Sequence, residues 1–424
     1  MDCKTYANGI KNMVINAPPS KSMAHRAILA AMLADEPCVV QNVSLSADVQ
    51  ATLSASKALG KEWTFCDGKV FFGAKKQVEK TVIDANESGS TLRFLIPVCG
   101  ALGVTTTFEG KGKLPERPYD VLANAMTQKG VCFDKTFGLP LTISGKLTSG
   151  RYEIAGDVSS QYITGLLYAL PLADGDSQII LTSPLQSKGY VDMTLSVLND
   201  FGIQIKTIQN GYEIKGNQKY KATNFVVEGD WSNSAFWLVL GALNDGLTLK
   251  GLDKNSLQGD KHIVTVLEQM GADISFDQDN VVVKKSNLIG VDIDVSQIPD
   301  LAPILSVALA CATGQGKIFN AGRLKIKESD RLQAINDNLN AVGVSTILGD
   351  DFVTIFSKKD LQGGVTKGFN DHRIVMSMAV LATQTKQGIA FSDMQAINKS
   401  YPDFFDIYKS IGGQADVINM GQKR

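Results

Sequence analysis

Six segments of the chain are apolar on nearly every helical face, and each opens on a short cluster of Ser, Gly, Asp, Asn, Lys or Arg. The openings fall at Ser22, Ser90, Ser160, Asn233, Asp300 and His372, a spacing of roughly 70 residues that marks an internal repeat. A short strand-like stretch follows each run, and then a second helix with a single apolar face that ends at a glycine. These second helices are expected over 48–60, 119–130, 191–202, 262–271, 330–343 and 402–412. In the first repeat, 22–34 reads as a buried helix, 39–43 as a strand, 48–59 as an amphipathic helix and 63–72 as a hairpin. A helix that is apolar all round needs cover on all sides. The pattern therefore predicts three units packed together, each placing one such helix inside and its amphipathic helix and sheet outside.

Six repeats divide into three and three, with the boundary expected near 225–230, just before the fourth apolar helix. The expected domains are 17–227, holding repeats one to three, and a discontinuous one of 1–16 plus 228–424, holding repeats four to six. Residues 1–16 read as a leading strand able to complete either half. The boundary follows from repeat symmetry, since neither a Pro-rich nor a Gly/Ser linker marks it.

Composition narrows the function. Across 424 residues, 44% are hydrophobic and 20% charged, as in a globular enzyme, and 42 Lys and Arg against 43 Asp and Glu leave a net charge of −1. That balance argues against a broad polyanion-binding face and so against a nucleic-acid partner. The six cysteines show no Cys-x-x-Cys spacing and only three histidines accompany them, so reduced thiols and no zinc site are expected. The first fifteen residues lack a signal pattern, and the apolar runs are broken by Arg93 or by glycines. The expectation is a cytoplasmic protein, complete as written, with no membrane segment.

The openings carry the chemistry. Helix N-termini present unpaired N–H groups and partial positive charge, so equivalent starts form a set of anion sites. Capping alone explains the Ser, Asp and Asn. It does not explain Lys21, Arg26, Arg93 and Arg373 within the first turn or so, where a cation opposes the macrodipole. The ligand to expect is anionic, although Ser20-Lys21-Ser22 lacks the Gly-x-x-x-x-Gly-Lys of a nucleotide loop. Lys325 to Arg331 packs five charges of both signs into seven residues at a helix start. Asn370-Asp371-His372-Arg373 runs straight into an apolar segment, so its charges need buried polar partners or a ligand.

These stretches together resemble the enolpyruvyl transferase family, over essentially the full length of the chain. The resemblance rests on Pro19-Ser20-Lys21-Ser22 with Arg26, Gly89-Ser90 with Arg93, Glu116-Arg117-Pro118, Ser159-Ser160-Gln161 and Ser187-Lys188-Gly189-Tyr190. Pro299-Asp300, Lys327-Glu328-Ser329-Asp330-Arg331, Asn370-Asp371-His372-Arg373 and Lys399 with Tyr401-Pro402-Asp403 follow in family order. It implies an α/β fold of two similar domains, each of three repeated units with buried parallel helices and outer four-stranded sheets. This is an inside-out α/β barrel, with the active site in the cleft between the domains.

The implied reaction joins phosphoenolpyruvate to the 5-hydroxyl of shikimate 3-phosphate and releases phosphate, a step toward chorismate and the aromatic amino acids. The resemblance implies these two small-molecule partners, a monomer, no cofactor and no metal. It sets Lys21, Gly89, Arg117, Gln161, Arg331, Arg373 and Lys399 around phosphoenolpyruvate. It sets Lys21, Ser22, Arg26, Ser159, Ser160, Gln161, Ser187, Tyr190, Asp300 and Lys327 around shikimate 3-phosphate. Asp300 is the candidate acceptor of the hydroxyl proton. Glu328 is the candidate to deliver and then remove the C3 proton, assisted by Lys21 and His372, and is expected to sit among Lys327, Arg331 and Arg373.

One departure is Glu87, which stands where the family usually has Asn and is left out of the binding set. A sister enzyme acting on UDP-N-acetylglucosamine carries a Cys in the loop before its Arg-Pro. Gly110 to Pro118 here has none. A non-catalytic binding protein on the same repeats is the other alternative.

Overall fold

The six apolar runs and the six amphipathic segments all fold as helices in the computed structural model, which describes residues 1–7 and 9–418. In chain order they are α1 (Lys21–Leu33), α2 (Ala47–Ala58), α3 (Gly89–Leu102), α4 (Asp120–Thr127), α5 (Ser160–Ala169) and α6 (Lys188–Asp200). There follow α7 (Trp231–Leu243), α8 (Ile263–Gln269), α9 (Ala302–Ala310), α10 (Arg331–Ala341), α11 (His372–Ala382) and α12 (Phe404–Ser410). The odd-numbered helices are the apolar runs, and nearly all their residues are buried. Side-chain caps start most of them: Ser20, Ser88, Ser159, Asp230 and Asp371 each accept from a first-turn N–H. The fifth run differs, since a 3-10 turn at Pro299–Leu301 precedes α9 and leaves Asp300 just outside the α-helix. Proline at the first position suits such a turn because it has no N–H to leave unpaired.

Among the described residues the strands form six four-stranded sheets. Each joins a parallel pair to an antiparallel one, as where Lys80–Asp84 runs parallel to Thr105–Glu109, which in turn pairs antiparallel with Leu141–Gly145. Three sheets borrow a strand from far along the chain. Asn224–Val226 lies parallel to Cys38–Gln41 in the first repeat, and Val14–Asn16 lies parallel to Leu247–Lys250 in the fourth. Asp2–Ala7 pairs with Ile389–Phe391 and Gly413–Ile418 in the sixth. The leading segment is thus two strands rather than one, and both complete sheets of the later repeats.

The chain forms two compact units, one of Pro19–Glu228 and one of Met1–Pro18 with the residues from Gly229 onward. Each has its own apolar core built around its three buried helices. In the first, α3 and α5 approach closely because residue 165 is Gly: a Cβ there would stand 2.6 Å from Arg93 O and 2.9 Å from Pro97 Cγ. Among the described residues no helix is long and apolar enough to cross a membrane.

Candidate active site

In the Pro19–Glu228 unit the first-turn cations find acceptors beyond their own helix starts, which offsets the unfavourable macrodipole. Lys21 opens α1 and donates from Nζ to Oδ2 of Asp48, in the first turn of α2, at 2.8 Å. Arg26 is buried, and its Nη1, Nη2 and Nε donate to Ser22 O (2.8 Å), Tyr190 O (2.8 Å) and Thr194 Oγ1 (2.9 Å). The sequence set Arg26 on shikimate 3-phosphate itself. Three of its five N–H groups bond to the protein here and fix the backbone at Ser22 and Tyr190, two other residues of the expected set.

Around α3 the charges concentrate. Arg93 donates from Nη1 to Gln161 Oε1 (2.8 Å) and from Nη2 to Pro118 O (3.1 Å), while Gln161 Nε2 donates to Ser90 Oγ (3.0 Å). A Cβ on Gly89 would stand 2.7 Å from Arg117 Nη1 and 2.8 Å from Arg93 Nη1. Only glycine lets two guanidinium groups approach the start of α3 this closely. Two cations at a helix N-terminus make a strong anion site. Arg117 reaches it from extended backbone just after the 3-10 turn Leu114–Glu116, and its buried Nε has no acceptor among the described residues. Glu87, the departure noted in the sequence, lays its carboxylate against Gly112 in the loop leading to Arg117. Ser159 caps α5 by accepting from Gln161 N, Ser160 is buried beside it, and Ser187 takes a left-handed conformation (φ 55°) at the start of α6, where its carbonyl accepts from Tyr190 N.

In the other unit, a carboxylate and cation cluster forms at the starts of α9, α10 and α11. Arg331 is 1% exposed and meets three carboxylates: Nη1 donates to Asp300 Oδ1 (2.9 Å), Nη2 to Glu328 Oε2 (2.7 Å) and Nε to Asp371 Oδ2 (2.8 Å). Lys327 Nζ donates to Asp300 Oδ1 (3.1 Å), and Arg373 Nη2 lies 3.3 Å from Asp300 Oδ2. The sequence placed Glu328 amid Lys327, Arg331 and Arg373. The contacts gather those three cations on Asp300, and Arg331 also holds Glu328, whose charge acts on Lys327 as well. Glu328 stands three residues before Arg331, outside α10, and reaches it locally, whereas Asp300, just ahead of α9, faces all three.

Burial pushes the Asp300 carboxyl up, but Arg373, Lys327 and Arg331 together hold it well below the ordinary carboxylate range. Burial also lowers the Lys327 ammonium, against the pull of Asp300. His372 is buried and its Nδ1 lies 3.9 Å from Asp371 Oδ1, beyond hydrogen-bond reach. Lys399 Nζ donates to Asn370 O at 2.6 Å. That carbonyl is presented by two successive left-handed residues, Phe369 (φ 53°) and Asn370 (φ 49°), a backbone cost of about 1–3 kcal/mol each that the fold sustains beside the cluster.

Three acids lie outside the binding and catalytic sets expected from the sequence, Asp371 among them although its motif stood out. Asp371 accepts from Arg331, from Ser329 Oγ (3.0 Å) and from the Arg373 N–H (2.9 Å), so one carboxylate caps α11 and orients the buried guanidinium. Asp48 holds Lys21. Asp260, buried ahead of α8, accepts from Ser232 Oγ, and burial with the nearby Asp300 charge pushes its carboxyl up to about 6. The signal available for both Asp48 and Asp260 was an acid at or just before a second helix, which on its own is ordinary capping.

Asp260 gives a stability test. A carboxyl raised in the folded state adds stability that is full below its unfolded value near 3.8 and is lost as pH rises through about 6. Asp260→Asn removes that loss, so its melting temperature relative to the parent is expected to rise between pH 5 and pH 7.5. Thermal denaturation at both values checks this, and a difference independent of pH would sink it.

The family profile described as EPSP synthase (3-phosphoshikimate 1-carboxyvinyltransferase) matches residues 8–408. A 3-phosphoshikimate 1-carboxyvinyltransferase of Clostridium kluyveri is 42% identical over 412 residues, 96% of this chain and 97% of that protein. Its counterpart in Clostridium novyi is 42% identical over 426 residues, 97% of this chain and 98% of that protein. Among solved structures, an EPSP synthase of Acinetobacter baumannii superposes with a TM-score of 0.83 at 25% identity, covering 98% of this chain and all of that one. The enolpyruvyl transferase NikO of Streptomyces tendae shares the fold, with a TM-score of 0.81 at 15% identity over 98% of each chain.

Proposed function

Because the chain belongs to the EPSP synthase family, we propose that it transfers the enolpyruvyl group of phosphoenolpyruvate to the 5-hydroxyl of shikimate 3-phosphate, releasing phosphate. The observation that best supports catalysis, rather than binding alone, is Asp300 held ionised by Lys327, Arg331 and Arg373 with Glu328 on the same guanidinium. A binding protein needs cations for two anionic ligands. It has no need of two carboxylates kept among them at the cost of burial.

In this reading Gly89, Arg117, Lys21 and Gln161, with Arg331, Arg373 and Lys399, serve phosphoenolpyruvate. Ser22, Arg26, Ser159, Ser160, Gln161, Ser187 and Tyr190, with Lys21, Asp300 and Lys327, serve shikimate 3-phosphate. The Arg117 Nε without a protein acceptor fits a bidentate grip on a carboxylate or phosphate.

Asp300 is a weak base, so it takes the 5-hydroxyl proton only as that oxygen bonds to C2 and becomes acidic. Glu328 gives a proton to C3 as C2 is attacked. The tetrahedral adduct then loses phosphate, and Glu328 removes a C3 proton. Lys21 and His372 assist the charge balance. Glu328 can act as an acid once the anionic substrates offset Arg331.

Phosphate release with phosphoenolpyruvate and each acceptor tests the reading. Release with shikimate 3-phosphate alone supports it, release with UDP-N-acetylglucosamine favours the sister activity, and binding without release favours the non-catalytic reading. The absence of Cys from Gly110 to Pro118 speaks against the sister enzyme. The same reading makes the protein a cytoplasmic monomer, and sedimentation equilibrium showing a stable dimer would remove the monomer part.

Arg117→Ala is expected to weaken phosphoenolpyruvate by about 1.5–3 kcal/mol, the scale of hydrogen bonds to a charged ligand, and to leave shikimate 3-phosphate nearly unaffected. Separate titrations of the two ligands check this. Equal losses would mean that Arg117 is misassigned.

A further inference from the structure

His25 plays no part in the chemistry above, yet it heads a buried chain of hydroxyls that ends at the start of α3. Lys21 and His25, four residues apart on α1, face Asp48 and Thr52, four apart on α2. His25 Nδ1 lies 2.7 Å from Thr52 Oγ1, which lies 2.7 Å from Thr91 Oγ1, which donates to Ser88 Oγ at 2.8 Å. All four residues are at most 4% exposed. Ser88 Oγ also accepts from the Thr91 N–H at 3.1 Å, so both its lone pairs are taken and its rotamer is set. Ser88 is the N-cap of α3 and immediately precedes Gly89, against which Arg93 and Arg117 stand.

Proton counting fixes the direction of the chain. The single hydroxyl hydrogen of Thr91 goes to Ser88, so Thr52 must donate to Thr91 and His25 must donate to Thr52. The imidazole is therefore the Nδ1–H tautomer, with its lone pair on Nε2, which has no hydrogen-bond partner among the described residues. Burial first, then the charges of Lys21 and Arg26, hold His25 well below its ordinary value, so it is neutral across the working range.

We propose that His25 is a positioning residue for phosphoenolpyruvate: its Nδ1–H, passed through Thr52 and Thr91, locks the Ser88 cap and so places Gly89 and the α3 N–H groups against the ligand. It touches no reacting atom. The inference rests on the assignment of the α3 start to phosphoenolpyruvate. Breaking the chain lets the Thr91 hydroxyl turn its hydrogen away from Ser88, which leaves the cap on the Thr91 N–H bond alone and loosens the anion site without removing any charge from it.

The test compares steady-state kinetics of His25→Gln, His25→Asn and Thr52→Val, with melting temperatures on the same preparations. Asn carries its amide nitrogen where His has Nδ1 and can restore the donation, whereas Gln carries it where His has Nε2 and cannot. The expected result is a roughly 5- to 10-fold rise in KM for phosphoenolpyruvate in His25→Gln and Thr52→Val, the scale of a lost hydrogen bond. KM for shikimate 3-phosphate stays near the parent value, and His25→Asn returns KM for phosphoenolpyruvate to within about twofold. Thr52→Val keeps the side-chain volume, so it carries the test should His25→Gln fail to fold. Unchanged KM for phosphoenolpyruvate, equal rises for both substrates, or no rescue by His25→Asn would each overturn the proposal. Arg117→Ala separates the two levels: if it spares phosphoenolpyruvate, the site assignment itself falls; if it does not and the chain variants do, only the role of His25 falls.

Discussion

Glu328→Gln is expected to lower turnover roughly 100-fold or more, the usual scale for losing a general acid or base, while shikimate 3-phosphate binds nearly as before. Glutamine keeps the size of the side chain and can still accept the Arg331 Nη2–H bond, so the salt bridge is weakened and the fold is left in place. What it cannot do is carry a proton to and from C3. Exchange of the C3 hydrogens of phosphoenolpyruvate with deuterated solvent is therefore expected to fall in parallel with turnover. The competing role, a purely structural partner of Arg331, predicts a lower melting temperature with modest kinetic change. Turnover, exchange and melting on one preparation separate the two. Near-normal exchange in a folded variant would take Glu328 out of the mechanism.

The helical framework was legible because its signal is local and strong. The run that opens at Asn233, apolar on nearly every face from Ala235 onward, reads as a buried helix, and α7 (Trp231–Leu243) covers it. The end of each amphipathic helix was equally readable from glycines such as Gly60, Gly271 and Gly343, whose positive φ other residues tolerate poorly. The borrowed strands were not legible. Val14–Asn16 and Asn224–Val226 are three residues long, too short for periodicity to register, and their partners lie far away in sequence. No local preference can encode such a pairing.

At the site, residue type was legible and partnership was not. Charges at the head of an apolar helix announce a polar site, so Lys21, Arg93, Asp300 and Arg373 stood out. Which carboxylate takes which cation depends on where helix starts meet, which is why Asp300 gathers Lys327 and Arg373. Thr52 and Thr91 carried no signal at all. On their own helices they are ordinary polar residues, and only the packing of α1, α2 and α3 joins them to His25.

Arg331 is expected to matter most to the stability of its own unit. It is 1% exposed and faces the buried Asp371 and the part-buried Asp300 and Glu328, so Arg331→Ala leaves three negative groups with their shared cation gone. Breaking a buried ion pair from one side costs about 3–5 kcal/mol, and here one side serves three partners. Part of that cost is relieved by protonation. Arg331 is one of the cations that hold Asp300 down, so its removal lets that carboxyl rise, and a raised carboxyl is penalised most at high pH and least at low pH. The deficit in melting temperature against the parent is therefore expected to be wide at pH 8 and narrower at pH 5. Arg331→Lys should fall between the two, because an ammonium restores one charge yet cannot reach three carboxylates as the planar guanidinium does. A small deficit, or one equal at both pH values, would show that the carboxylates find compensation elsewhere and that Arg331 is not the group that holds them together.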